Sequence, residues 1–469
     1  MNKKTVVSIL ENVFMVFLLL AMLVQCVLYI SFAQNNGDGS LPSFSESEAR
    51  LLANDSSMLA EAGKSFVTPY FVGAISADTG YGGAYDDSLA YEVFGCFADV
   101  LENAAGGTSK KVVYSGEDKK YEYLDDLYSN TQSCYYVKLK NGIEFSVLCQ
   151  LMSDTYTELP ENPDFIITDM FLVSGSMGEA SIIAVGPYGN VLKIFPSKNI
   201  SFNNEYLEAY NNTEKDEFEF VKVQSNAEIG RNCYFPVYKY SVEYRSLVKE
   251  SFGNLNIEID SNELKSFVGI FGMNNDNTRF YKRSSDGAII CVEDTTSLEI
   301  TPSGDFIFLP EDGGETLGVF TENGNDASGF YDYSSAAQNI VAKINERLVG
   351  YCAKLSLDDV SYSNGECSFR YSYTVNGIPV EKEESAGLEL RFASDSLVYA
   401  QGTLRIMSFL ADEMTEMPQK TAYVLMGEAE SPVVYFGPEY CFEDTDSGSK
   451  TALMRWAVGT EQIDGRAQK

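Results

Sequence analysis

Carboxylates are the residues of this chain whose types and spacing come nearest to a catalytic arrangement, because histidine is absent from all 469 residues. That absence excludes Ser-His-Asp and Cys-His catalysis, imidazole metal ligation and a histidine-based pH switch. Two carboxylates can hydrolyse a glycosidic bond without histidine, but adjacent acids point apart on a strand and usually solvate the start of a helix. A carboxylate-dependent cell-wall hydrolase is therefore the less favoured alternative. Its candidate acids are Asp86-Asp87, Asp125-Asp126 and Asp358-Asp359.

The other catalytic and binding motifs that the sequence resembles are all incomplete. The chain has no Gly-x-x-x-x-Gly-Lys-Ser/Thr phosphate loop, and residues 80–83 (Gly-Tyr-Gly-Gly) lack the third glycine of a dinucleotide site. Ser176 misses the first glycine of a nucleophile elbow, so it is predicted as a turn serine. Residues 274–277 and 323–326 resemble fragments of calcium loops without the glutamate at position twelve, which favours tight turns. The sequence therefore predicts no catalytic residue, no cofactor and no metal site.

The nine cysteines are widely spaced, form no CxxC pair and mostly have apolar neighbours. This pattern favours buried small hydrophobic residues. One or two disulfides formed outside the cell are the alternative. The cysteines are Cys26, Cys96, Cys134, Cys149, Cys233, Cys291, Cys352, Cys367 and Cys441.

The charge of the chain is strongly acidic, with 68 acidic and 34 basic residues and a formal net charge of −34. A polyphosphate partner needs a surplus of cations, so nucleic acid is excluded as a partner. The same charge repels an anionic lipid surface. We interpret it as the charge of an exported domain that must stay soluble.

Residues 13–33 form an apolar run without a formal charge, preceded by Lys3 and Lys4. A helix of this length spans roughly 31 Å, which matches a hydrocarbon core of about 30 Å. Because basic residues resist translocation, residues 1–12 are predicted to stay in the cytoplasm and the bulk of the chain to lie outside the cell. The alternative is a cleaved signal peptide, since residues 31–33 (Ser-Phe-Ala) have the small-x-small form of a cleavage site; the length of the run favours a retained membrane helix.

One polar residue, Gln25, lies well inside this apolar run, with Ala21 one helical turn earlier on the same face. An amide in hydrocarbon prefers a hydrogen-bonding partner, and a small residue lets two helix backbones approach closely. Ala21 and Gln25 are therefore predicted to contact the membrane helix of another protein. The alternative is that Gln25 bonds its own backbone.

Hydrophobic periodicity and turn residues predict a mixture of helices and antiparallel strands. Helices are predicted over residues 86–105 and 335–349, where apolar residues repeat at helical spacing. A meander of strands is predicted over residues 267–309, beginning with a strand at residues 267–271. Hairpin turns are predicted at Asn141-Gly142, residues 186–190 and Asn376-Gly377.

Polar stretches near residues 203–216 and 311–328 divide the chain beyond the membrane segment into three parts. The predicted fold class is α+β, with one N-terminal transmembrane helix followed by sheet-rich, mainly antiparallel extracellular domains. The predicted divisions are a cytoplasmic N-terminus at 1–12, the transmembrane helix at 13–33, a tether at 34–45, an N-terminal α+β ectodomain at 46–205, a central mainly antiparallel β domain at 206–328 and a C-terminal α+β domain at 329–469.

Several short patterns mark the second half of the chain. They are Phe271-Gly272 leading to Arg279-Phe280-Tyr281, Ser285-Asp286-Gly287, Leu298-Glu299-Ile300, Ser303-Gly304-Asp305-Phe306, Phe369-Arg370-Tyr371-Ser372-Tyr373 before Val375-Asn376-Gly377-Ile378-Pro379-Val380, and a final Tyr435 and Trp456. Together with the layout, they resemble the YycH/YycI family, which regulates the essential cell-wall sensor kinase of Gram-positive bacteria. The resemblance implies a protein without enzymatic activity that associates with the kinase, partly through membrane helices, and tunes it.

The resulting hypothesis is a single-pass protein of the cell membrane that modulates a sensor histidine kinase of a cell-envelope two-component system. Its partners would be the kinase, a sister regulatory membrane protein, or both. The first alternative is an anchored extracellular module that binds an envelope ligand. The hydrolase described above is the second alternative.

Overall fold

The protein is described by a computed structural model, which covers most of residues 67–460. The longer stretches outside this description are 153–159, 211–216, 225–231, 250–256, 311–329 and 423–432. Within the described part of the chain, no helix is long and apolar enough to cross a membrane. The predicted membrane helix at 13–33, with Ala21 and Gln25, and the tether at 34–45 lie outside that part.

The first half of the chain builds one antiparallel sheet in the order β3-β7-β6-β5-β4-β1-β2-β8-β9. Its elements are β1 (Phe71–Ser76), β2 (Thr79–Gly83), α1 (Ser88–Glu102), β3 (Thr108–Lys111), α2 (Glu117–Ser129), β4 (Cys134–Glu144), α3 (Phe145–Leu151), β5 (Ile166–Ser174), β6 (Ala180–Val185), β7 (Val191–Phe195), α4 (Glu205–Tyr210), β8 (Glu217–Gln224) and β9 (Asn232–Tyr238).

Both faces of this first sheet are buried, because alternate residues of its strands point to opposite sides. Val137 and Leu172 share one cluster of buried side chains with Phe97 of α1. Tyr136 and Phe171 belong to a second cluster, which is rich in aromatic rings and contains α2. The sheet is therefore a central layer with helices on both sides.

The second half builds two further sheets. Its elements are β10 (Val242–Lys249), α5 (Asn262–Ile270), β11 (Arg279–Lys282), β12 (Ile289–Glu293), β13 (Thr296–Ile300), β14 (Asp305–Pro310), α6 (Phe330–Arg347), β15 (Ala353–Ser363), β16 (Glu366–Val375), β17 (Ile378–Pro379), β18 (Leu388–Ala393), β19 (Ser396–Thr403), β20 (Met407–Glu416), β21 (Val433–Asp444) and β22 (Lys450–Thr460). The four-stranded second sheet has the order β20-β10-β22-β21. The third has the order β11-β12-β13-β14-β19-β18-β16-β15, with β17 beside β16.

Helices cover one face of the third sheet. Phe267 of α5 packs edge-on against Phe306 of β14, with ring centroids 5.2 Å apart. Tyr333 of α6 stacks on Phe392 of β18 at 5.6 Å. The inner face of this sheet joins the first sheet's α1 side in one continuous cluster of buried side chains.

The predicted sheet-rich, mainly antiparallel α+β architecture is confirmed. Every pairing between the described strands is antiparallel, apart from an isolated parallel bridge between Val380 and Tyr440. The turn at residues 186–190 joins β6 to β7 as predicted. Asn376 and Gly377 both have positive φ, at 51° and 69°, which is the conformation that the predicted Asn-Gly hairpin turn requires.

Two local predictions are wrong. Asn141 and Gly142 do not form a hairpin turn, because β4 continues through them and the following residues 145–151 form α3, all seven of which are buried. Residues 267–271 are not a strand, since α5 occupies 262–270. The Ser261 hydroxyl accepts a hydrogen bond from the Leu264 amide at 3.0 Å, and this N-cap begins the helix.

The predicted domain ranges 46–205, 206–328 and 329–469 stay predictions, and the strands pair across both boundaries between them. β8 and β9 follow residue 205 but belong to the first sheet. β14 precedes residue 328 and pairs with β19, which follows it. The sheets, unlike the predicted ranges, are assembled from segments far apart in sequence.

Candidate functional site

The acidic pairs singled out from the sequence are occupied by hydrogen bonds and ion pairs. Asp125 lies 2.9 Å from the Lys222 ammonium, and Asp359 lies 3.7 Å from Arg370. Asp358 accepts a hydrogen bond from the Asn141 side chain. Asp86 and Asp87 lie outside the described residues. Among the residues that the structure covers, no group of three or more acidic or cysteine side chains is arranged to hold a metal ion.

The tight turn predicted at residues 274–277 is present in the structure. Asn274 accepts a hydrogen bond from the Asp276 amide at 2.9 Å, and its carbonyl accepts one from the Thr278 amide. Residues 80–83 lie in strand β2 and its pairing with β1, not in a nucleotide-binding loop. Ser176 and residues 323–326 lie outside the described part.

Seven cysteines are described, and each has a free thiol. Cys134, Cys149, Cys291 and Cys367 are buried. Burial raises the pKa of the Cys291 thiol and of the Cys367 thiol to about 12, so both stay protonated at neutral pH and are poor nucleophiles. They behave as the small apolar side chains that their neighbours in sequence predicted.

The feature that brings distant parts of the chain together is a bulge in β4. The pairing of β4 with β5 shifts between Lys138, which faces Asp169, and Ile143, which faces Ile167. Residues 139–142 of β4 therefore lie opposite the single residue Thr168 of β5, which is the pattern of a bulge. We call residues 139–142 the β4 bulge.

The β4 bulge contacts both of the other sheets. The Asn141 amide donates to the Asp358 carbonyl of β15 at 2.8 Å and to its carboxylate at 2.9 Å. The Lys140 ammonium lies 3.9 Å from the Glu439 carboxylate of β21, with both side chains about one-fifth exposed. The three sheets thus meet at this point, which we call the junction.

A narrow cleft of about 30 Å³ lies at the junction between the β4 bulge and β15–β16. This volume has room for one or two water molecules and is too small for an organic ligand. Ser356 and Ser372, which are cross-strand partners, line it. Val67, the first described residue, is 2% exposed and also lines it. Val67 is therefore packed at the junction.

A second connection joins the first sheet to the second. The Gln419 side chain is 1% exposed. Its carbonyl oxygen accepts from the Tyr238 amide of β9, and its amide nitrogen donates to the Phe436 carbonyl of β21, both at 3.2 Å. The lone Trp456 of β22 lies beside Tyr238, with ring centroids 6.0 Å apart. Gln419 thus substitutes for a direct backbone hydrogen bond between the two sheets.

A buried ion pair braces the first sheet close to this contact. The Lys138 ammonium lies 2.8 Å from the Asp169 carboxylate, with side-chain exposures of 6% and 5%. Asp169 also accepts hydrogen bonds from Tyr136 at 2.6 Å and Thr168 at 2.8 Å. Lys138 donates further to the Tyr234 carbonyl of β9 at 3.3 Å. Since each charged group has several partners, the pair ties β4 and β5 to β9.

Sequence reasoning missed the junction. Asn141-Gly142 did stand out, but as a hairpin turn, because the pattern does not distinguish a turn from a bulge. Lys138 and Asp169 carried no signal in the sequence, since only strand pairing places them together. Gln419 was likewise invisible as a connector between sheets.

Comparison with known proteins supports the fold. No family model matches the chain, and no curated protein matches its sequence. Among solved structures, YycH from Bacillus subtilis matches with a TM-score of 0.51 and 10% identity, covering 82% of this chain and 95% of that one. An uncharacterized protein from Eubacterium rectale matches with a TM-score of 0.34 and 13% identity, covering 53% of this chain and 87% of that one. The latter score is too low to define a shared fold.

The described residues therefore define a class of α+β proteins made of three antiparallel sheets that meet at one junction. Within that class, the chain is similar in fold to YycH from Bacillus subtilis over 82% of its length. This confirms, for the fold, the resemblance to the YycH/YycI family that the strand patterns indicated.

Proposed function

We propose that the chain is a single-pass membrane protein that modulates a sensor histidine kinase of a cell-envelope two-component system. The observation that carries the proposal is the likeness to YycH, which extends over 82% of this chain and 95% of that protein. The apolar run at residues 13–33 supports a membrane anchor, and the acidic charge supports an exported domain. The ectodomain would then lie outside the cell.

The junction offers contacts between sheets and no room for an organic substrate. Its cleft is too small for an organic substrate, and its Asn141 and Lys140 side chains form contacts between sheets. Val67 also lines this cleft.

Co-purification from native membranes tests the proposal. The full chain with a C-terminal affinity tag is solubilised in mild detergent, and bound proteins are identified by mass spectrometry. We expect a sensor histidine kinase, alone or with a second single-pass regulator, and altered autophosphorylation of that kinase when the chain is deleted. If no kinase is recovered and autophosphorylation is unchanged, the proposal is wrong.

The membrane helix is tested separately by Gln25→Leu. If Gln25 and Ala21 contact a partner helix, the substitution removes an interhelical hydrogen bond and lowers kinase recovery. The matched control is Leu20→Ile, which keeps the segment apolar. Unchanged recovery with Gln25→Leu would show that the ectodomain carries the association alone.

A further inference from the structure

The outer face of the third sheet carries several apolar side chains, and within the described part of the chain no helix lies over it. The strand register places Tyr281, Ile290, Glu299 and Ile307 in one row across β11–β14. Residues of the opposite parity, such as Cys291, Leu298 and Phe308, are fully buried on the helix-covered side. The row therefore points outward, where an open antiparallel sheet normally carries polar residues.

The neighbouring row of outward-facing residues also contains apolar side chains. It contains Val292 and Leu309, with Arg279 and Ser297 between and beside them, and it reaches Tyr399 beside Arg391 on β18–β19. A register shift between Arg391 and Phe392 leaves Val398 as an extra residue on β19. Tyr281, Leu309 and Val398 are 48%, 42% and 38% exposed. We call these residues the outer patch: Tyr281, Ile290, Val292, Ile307, Leu309, Val398 and Tyr399.

Arginine, and not lysine, borders the outer patch. The Arg283 guanidinium bonds both Asp286 and Glu299 at 2.6 Å. Arg391 bonds Glu389 at 2.7 Å and lies 4.7 Å above the Tyr399 ring. Tyrosine and arginine are enriched at protein interfaces, whereas lysine is depleted. The composition of this face is therefore that of an interface.

The charges of the face favour a second copy of the chain as its occupant. A net charge of −34 makes two copies repel each other over most of their surface. At the outer patch, by contrast, the acids Asp286, Glu299 and Glu389 are neutralised by arginines. Arg279, which is exposed in the same row as Val292, has no ion pair among the described residues. Here an acidic copy meets a surface that does not repel it.

From these observations we propose that two copies pack their third sheets face to face through the outer patch. Six strands at about 4.8 Å spacing, over about 18 Å of strand length, give roughly 500 Å² per copy. The total of about 1,000 Å² lies at the lower limit for a specific interface, so the dimer is weak. A two-fold axis makes the contact self-complementary, with the sheets about 10 Å apart.

Sedimentation equilibrium of the full chain in detergent tests the proposal. We expect a monomer–dimer equilibrium in the micromolar range that tightens as salt is raised, because salt screens the repulsion between copies. Tyr281→Glu and Leu309→Glu should each weaken the dimer at least tenfold. The matched control is Tyr188→Glu, whose tyrosine is 45% exposed in the turn between β6 and β7.

Because all variants share the same membrane segment, a difference in dimerisation between them comes from the substituted surface. Circular dichroism and thermal unfolding first show that each variant is folded. A chain that stays monomeric at every concentration overturns the proposal. So does a dimer that survives both Tyr281→Glu and Leu309→Glu, or one that Tyr188→Glu weakens equally.

Discussion

At the scale of single residues, the most consequential side chains are those that connect strands, and burial decides how much each matters. Among the described residues, the lysine–carboxylate pairs Lys138–Asp169 and Lys222–Asp125 have nearly equal lengths, 2.8 Å and 2.9 Å. The first is about 5% exposed and the second is 27% and 52% exposed. Breaking a buried pair leaves an uncompensated charge, whereas an exposed charge returns to water.

Lys138→Met is therefore expected to destabilise the fold by about 3–5 kcal/mol. The Asp169 carboxylate would stay buried with only the Tyr136 and Thr168 hydroxyls as partners. Adding Asp169→Asn should restore part of the loss, because a neutral amide still accepts from Tyr136. The measurement is urea unfolding followed by circular dichroism. The control is Lys222→Met, for which we expect a change below about 1 kcal/mol; equal losses in both variants would contradict the argument.

The turn between β11 and β12 predicts a pH dependence. Hydrogen bonds from Arg283, and then from the Ala288 amide, lower the pKa of Asp286 to about 2. In the unfolded chain the pKa is about 3.9. Since the folded pKa is the lower one, the stabilisation is complete above about pH 4 and is lost as the pH falls towards 2.

A carboxyl ¹³C titration of the folded protein checks this expectation. The Asp286 midpoint should lie near 2, and Arg283→Gln should move it up towards the unfolded value. Asp286→Asn should remove this pH dependence from the turn. A midpoint near 4 in the unmodified protein would show that the Arg283 contact does not persist in solution.

At the scale of elements, hydrophobic pattern predicted many strands and helices, and it failed where tertiary contacts decided the outcome. Residues 143–150 were predicted as the second strand of a hairpin, yet residues 145–151 form α3, and all seven are buried. Burial on every side removes the periodicity that distinguishes a helix from a strand. Residues 267–271 are also apolar because they are buried. The Phe267 ring of α5 packs against Phe306 of β14 and against Phe271, which follows the helix.

The pairing of β1 with β2 shows how a glycine permits close contact between strands. Gly73 and Gly82 are cross-strand partners. A Cβ atom on Gly82 would lie 2.4 Å from the Gly73 Cα and from the Val72 carbonyl oxygen. Both are backbone atoms, so they cannot move without breaking the strand pairing. The glycines at 80–83 attracted notice as an incomplete nucleotide motif, and their actual role is this close approach.

Gly82→Ala is expected to destabilise the fold by about 3 kcal/mol through overpacking. The control is Gly83→Ala in the same strand, where the nearest atom to the new Cβ would be the Tyr238 hydroxyl at 3.3 Å. A side-chain atom can shift by a few tenths of an ångström, so we expect less than about 1 kcal/mol there. Thermal unfolding of both variants measures the difference. Equal stability of the two variants would contradict the strand geometry.

At the scale of the whole molecule, strand pairing makes the chain more interlocked than its sequence indicates. β10 lies between β20 and β22, although some 160 residues separate it from β20 in the chain. Polar stretches in the sequence do not show which strands pair across them. The antiparallel α+β class was therefore predictable from turn residues and alternation. The junction was not, since Lys140, Asn141 and their partners Glu439 and Asp358 are joined only by the final topology.

This interlocking predicts which fragments can fold alone. Residues 67–239 contain every strand of the first sheet and should unfold cooperatively in urea. Residues 67–205 lack β8 and β9. Without these strands the edge of β2 is exposed, and the aromatic cluster loses Tyr234, Phe218 and Tyr238. This fragment should therefore be markedly less stable. Residues 206–328 contain strands whose partners lie beyond 388 and should show no cooperative transition. Circular dichroism measures all three, and a cooperative transition in residues 206–328 would instead support the central domain predicted from the sequence.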